Sequence, residues 1–127
     1  MIKVFGKKIK LSHQKKRICV RMPSGMVDDV YNAMRKAHLS SRYRSRWISN
    51  AIIALQKKPE YISSVQEEWI VPGNNQIVQI SLDSEAENAL ISMAEQIKNL
   101  NKEHPEIHSS IVRTSIIHAL LHNERST

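Results

Sequence analysis

A chain of 127 residues, 41% hydrophobic and 24% charged, has room for one compact domain or two very small ones, with the balance of an ordinary globular protein. No apolar run approaches the roughly 18 residues that indicate a membrane span, and the basic stretch Met1–Lys16 lacks the apolar core and cleavage site of a secretory signal. The net charge of +7 is one-sided: residues 1–60 hold fifteen Lys/Arg against three acids, whereas residues 61–127 hold four against nine, so the first half attracts a polyanion, either nucleic acid or an anionic surface.

In chain order, Lys3, Lys7, Lys8, Lys10, Lys15 and Lys16 make residues 1–16 a basic arm. From Arg17, the apolar Ile18, Val20 and Met22 alternate with Arg17, Cys19 and Arg21, which predicts a strand with one buried face. Cys19 is the only cysteine; it excludes an internal disulfide and suits a reducing compartment. Pro23 stops that strand, and Ser24 is placed to cap a helix with Met26, Val27, Val30, Ala33, Met34 and Ala37 on one stripe. The polar stretch Leu39–Arg44 breaks the period. Ser45 is then placed to cap a second helix whose apolar positions are Trp47, Ile48, Ala51, Ile52 and Leu55, with Pro59 beyond its end.

The same order returns after residue 75. Val78, Ile80 and Leu82 alternate with Ile77, Gln79 and Ser81; Asp83 and Ser84 offer caps, with Glu87 placed for a capping box. Ala86, Ala89, Leu90, Met93, Ala94 and Ile97 form the next helical stripe, and a polar loop, Asn99–His108, carries Pro105. Ser109 or Ser110 caps a last helix with Ile111, Val112, Ser115, Ile116, Ala119 and Leu120 on its buried side. The strands align at an offset of 60 residues and the second helices at 64, so the extra residues fall in an inter-helix loop, where insertions cost least. A unit of about 40 residues buries too little to fold alone, whereas two can pair their strands and share one core. The segment 59–75 links the copies, and Tyr61, Ile62, Val65, Trp69, Ile70 and Val71 make it too apolar for a free tether.

Arg17-Ile-Cys-Val-Arg-Met-Pro and Arg44-Ser-Arg-Trp-Ile-Ser-Asn-Ala-Ile resemble the strand and second-helix opening of the ribbon-helix-helix family; Ile77–Asp83 and Ser109–Ile116 match it less closely, with Ser115 where Ala is usual. Two copies on one chain are similar to the tandem arrangement of TraY-type proteins of conjugative DNA transfer. The resemblance implies an α+β, mostly helical fold. Repeat one (17–58) and repeat two (76–123) would form an intramolecular antiparallel β-ribbon over a four-helix core.

It also implies that the ribbon enters the major groove of double-stranded DNA. The outward face then offers Arg17, Cys19 and Arg21 from one strand and Ile77, Gln79 and Ser81 from the other. Arg chelates guanine O6 and N7, Gln pairs with adenine, and Ile77 and Cys19 suit a thymine methyl. Solvated arginines on an exposed sheet are the alternative for Arg17 and Arg21. Phosphates are expected at the starts of the second helices, at Arg44, Ser45 and Arg46 and at Ser109 and Ser110, with Arg42 and Arg113 nearby and with Lys15 and Lys16 from the arm. The arm as a whole either tracks the DNA backbone or is a solubilising tail.

His104/His108 and His118/His122 have four-residue spacing but no accompanying Cys or acidic ligand, so no metal is expected. Gly6, Gly25 and Gly73 stand apart and make no phosphate loop, and neither catalysis, a cofactor nor a small-molecule substrate is expected. Trp47, on an apolar stripe, is read as core rather than base-stacking. With seven residues after Leu120 in this sequence, too few to wrap a toxin, an antitoxin is not the expected function. The expected function is a sequence-specific transcription regulator in a bacterial cytoplasm, associated with nucleoid or plasmid. Further copies on adjacent subsites are a partner to consider; an accessory role in plasmid conjugation or partition is the alternative function.

Overall fold

The two alternating segments form strands β1 (Lys16–Pro23) and β2 (Asn75–Leu82), paired antiparallel in a computed structural model that describes residues 16–67, 75–100 and 106–126. Register sets Arg17 opposite Ser81, Cys19 opposite Gln79 and Arg21 opposite Ile77. Val20, Met22, Val78, Ile80 and Leu82 are buried, whereas Arg17, Cys19, Arg21, Ile77 and Gln79 are exposed. A slip of one residue would invert that arrangement on either strand, so burial of five large side chains fixes the register. Pro23, which has no N–H to donate, is tolerated because it is the last residue of β1.

Helix α1 (Ser24–Lys36) follows without a break and buries Val27, Val30 and Met34 against the sheet. Ser24 is not its cap: Pro23 occupies that position, and no side-chain cap bond forms. The far end is closed by two reversed bonds, His38 N–H to Arg35 O at 3.0 Å and Leu39 N–H to Met34 O at 2.9 Å. That pairing needs a left-handed residue between them, and His38 supplies it at φ 60°. A short 3₁₀ turn (Ser41–Tyr43) leads directly into α2 (Arg44–Gln56), which buries Ile48, Ser49, Ala51, Ile52 and Leu55. Ser45 therefore lies one residue inside α2, and the cap position falls to Tyr43 without a side-chain bond.

The segment expected as a linker contains a third helix, α3 (Tyr61–Gln66), because Tyr61 and Val65 are four apart and bury together in the core. The core thus draws on more than four helices. Trp69, Ile70 and Val71 lie outside the described residues. Helix α4 (Ser84–Leu100) is capped by Asp83, whose Oδ1 accepts the Ala86 N–H at 2.9 Å. Glu87 places its carboxylate 3.6 Å from Lys16 Nζ at the end of β1.

Helix α5 (Ile107–Ser126) starts earlier than the positions of Ser109 and Ser110 predict. Burying Ile107 draws the start forward, and the Ser110 N–H donates to Glu106 O at 3.0 Å. The loop expected over Asn99–His108 is correspondingly shorter, since Asn99, Leu100, Ile107 and His108 are helical; Pro105 is outside the described residues.

Among the described residues the result is a mostly helical fold with one two-stranded antiparallel sheet. Helices α2 and α5 pack chiefly on each other. Each also reaches across the molecule: α2 lies under β2 and α5 under β1, while α2 packs on α4 and α5 on α1.

His38 pays for its left-handed backbone, because the Cβ of a non-glycine residue crowds the following carbonyl there. Replacing His38 by Gly removes that strain but loosens the unfolded chain. The net expected effect is stabilisation by about 0.5–1 kcal/mol, measured by urea unfolding, with His38→Ala showing no gain.

Candidate nucleic-acid interface

A two-stranded sheet has no inner strand, so each strand presents outward-pointing backbone N–H and C=O groups along its free edge. Four of these are engaged by side chains from the first turn of α2 and the first two turns of α5. Ser45 Oγ accepts the N–H of Ser81 at 3.1 Å, and Ser109 Oγ accepts the N–H of Arg21 at 3.4 Å. The two bonds correspond under the sequence offsets, since Ser81 follows Arg21 by 60 residues and Ser109 follows Ser45 by 64. Each serine reaches the strand of the other half. Arginines complete the pattern: Arg44 Nη2 donates to Gln79 O at 2.9 Å, and Arg113 Nη1 donates to Arg21 O at 2.7 Å.

With its edges anchored, the sheet turns a row of side chains outward. Arg17, Cys19 and Arg21 project from β1, opposite Ser81, Gln79 and Ile77 from β2. Ser81 is half-buried. The other five are exposed, and Ile77 keeps 66% of its surface open although it is a large aliphatic residue. Arg17 has no hydrogen-bond or ion-pair partner among the described residues. Arg21 instead places Nη2 3.0 Å from Glu106 Oε1 at the start of α5.

The residues expected to meet phosphates differ in burial. Arg46 is exposed, as is Arg42 beside it. Arg44 and Ser45 are half-buried and bonded to β2, and Arg44 also donates to Tyr31 Oη at 3.0 Å while its guanidinium lies 6.0 Å from the Tyr31 ring centre. Ser109 and Ser110 are buried, leaving the first turn of α5 with its hydroxyls turned inward. Lys16 is exposed beside Glu87, and Lys15 lies outside the described residues. Arg113, noted in the sequence only as lying near the start of the last helix, has a structural place. It is 3% exposed and sits under β1, also donating from Nη2 to Ser110 Oγ at 3.2 Å. A signal was present: Ser109, Arg113 and Ile116 follow four-and-three spacing, which puts Arg113 on the buried side.

Away from the ribbon, a cleft of about 400 Å³ opens between α2 and α5, bordered by Trp47, Asn50, Lys58, His118 and His122. Trp47 is half-buried and packs on the core from there. Burial lowers the pKa of His118 below its ordinary value, and the Lys58 ammonium lowers it further against an opposing effect of Glu60. Among the described residues, no group of three or more His, Cys, Asp or Glu side chains could hold a metal ion, and no helix is long and apolar enough to cross a membrane.

No protein-family model, curated protein or solved structure matches this chain.

Because Arg113 is buried and anchors a strand edge, its removal leaves the Arg21 carbonyl without its donor. Arg113→Ala is expected to destabilise the fold by about 2–4 kcal/mol, through lost charged hydrogen bonds and lost packing, whereas Arg17→Ala stays within about 0.5 kcal/mol. Chemical denaturation of both variants, with the unfolding slope held constant, measures the difference.

Proposed function

We propose that this chain is a sequence-specific regulator that binds double-stranded DNA by laying the β1–β2 ribbon in the major groove, in the manner of a tandem ribbon-helix-helix protein. The observation that carries the reading is the outward face of the ribbon: two arginines, a glutamine, a serine, a cysteine and an isoleucine on one surface, over backbone edges already bonded to α2 and α5. The exchange of serine contacts between the halves supports two equivalent units closing on one another.

The dimensions suit the task. Paired strands lie about 4.8 Å apart, and with side chains they match a groove about 12 Å wide that displays a distinct donor and acceptor pattern for every base pair. Arg17 and Arg21 fit the paired acceptors of guanine, Gln79 fits adenine, and Ile77 and Cys19 fit thymine methyl groups. Since β1 and β2 carry different side chains, the preferred subsite is asymmetric. The exposed arginines at the start of α2, Arg42 and Arg46, would meet phosphates on the flank and set register rather than sequence.

Selection from a random duplex library supplies the site, and mobility shifts on it supply the test. Arg17→Ala and Arg21→Ala should each weaken binding by about 1–3 kcal/mol and relax preference at one position. Arg46→Ala should weaken binding to all sequences and reduce the salt slope by about one. Unchanged affinity and preference in the Arg17→Ala/Arg21→Ala double variant would overturn the reading. Whether the site overlaps a promoter or a transfer origin then assigns regulation or plasmid transfer as the role.

A further inference from the structure

The two arginines of β1 are not equivalent. Arg21 is held at three points: its N–H by Ser109, its carbonyl by Arg113, and its guanidinium by Glu106, 3.0 Å away. Glu106 is itself fixed, since its carbonyl accepts the Ser110 N–H as α5 begins and its backbone is left-handed, at φ 49°. The ion pair stands at the surface, with side chains 45% and 42% exposed, where its contribution to folding is small. Arg17 has no such partner among the described residues.

We propose that Glu106 is a positioning residue for Arg21, one that lowers affinity for DNA in general and sharpens discrimination at the base pair Arg21 faces. The inference rests on the ribbon being the DNA-contacting face. A carboxylate beside that face repels the phosphates of every duplex alike. It also restrains the guanidinium, which has five donors in a fixed fork and can leave one on Glu106 while presenting others to a guanine edge. A base pair with two acceptors in line satisfies both sides of the fork. One without them leaves Arg21 to choose between Glu106 and a phosphate, and the penalty of an unpaired carboxylate near the DNA falls on that sequence. Arg17, with none of this restraint, contributes affinity with less selectivity.

The test compares wild type and Glu106→Gln on the selected duplex, on the same duplex altered at the base pair Arg21 faces, and on random duplex at low salt. Glu106→Gln is expected to bind random duplex about threefold more tightly or better, with a smaller gain on the selected duplex, so that their affinity ratio falls. Thermal unfolding should be nearly unchanged. In an Arg21→Ala background, Glu106→Gln should leave the discrimination at that base pair as it was. An unchanged ratio in Glu106→Gln, or the same loss of discrimination without Arg21, would overturn the role of Glu106. Failure of wild type to bind any duplex would instead sink the ribbon reading and the inference with it.

Discussion

The open edges of a two-stranded sheet are the constraint around which the molecule is organised. In a larger sheet, inner strands satisfy their polar groups on both sides; here every strand is an edge. Ser45 and Ser109 remove two exposed amides, and Arg44 and Arg113 remove two carbonyls. These groups sit in the first turn of α2 and the first two turns of α5, so both helices run beneath the sheet from near their starts. Their mutual packing follows, as does the placement of α1 and α4 on the outside of that pair. A free edge would also be a template for pairing with another chain, and the same contacts suppress it.

Anchoring from below leaves the upper face without structural duties. Val20, Met22, Val78, Ile80 and Leu82 take the burial, so Arg17, Cys19, Gln79 and Ile77 are not needed to hold the fold. An isoleucine two-thirds exposed on a strand is costly to leave in water, and contact with a methyl group in a groove would recover part of that cost. The two helix starts also differ in charge. The start of α2 displays exposed arginines, whereas the start of α5 carries Glu106 and turns its serines inward. DNA contact built on such a scaffold would be lopsided in both sequence and phosphate attachment.

Period-two alternation made both strands and their inward residues legible in the sequence, because burial on one face leaves a pattern at every second position. The antiparallel pairing of the two strands was legible as well, whereas the register, with Cys19 opposite Gln79, is set by burial across the pair. Helix starts were less legible. Serines at 45 and 109 suit a cap, since a cap and an edge-binding hydroxyl use the same residue at the same place before an apolar run. Only the position of the opposite strand separates the two roles. The place of Arg113 was less legible for a related reason, as an arginine in the early turns of a helix suits either a phosphate or a buried carbonyl. Helix α3 was visible only as apolar excess in 59–75, and the Arg21–Glu106 contact spans residues that no local pattern connects.

Groove choice is the most direct measure of the central claim, because guanine N7 is open only in the major groove and adenine N3 only in the minor groove. Dimethyl sulfate reacts at both atoms, and its pattern on a saturated complex reports which groove is covered. The ribbon account predicts protection of guanine N7 within a short, asymmetric site, with adenine N3 there still reactive. Full reactivity at guanine N7 alongside protected adenine N3 would contradict it.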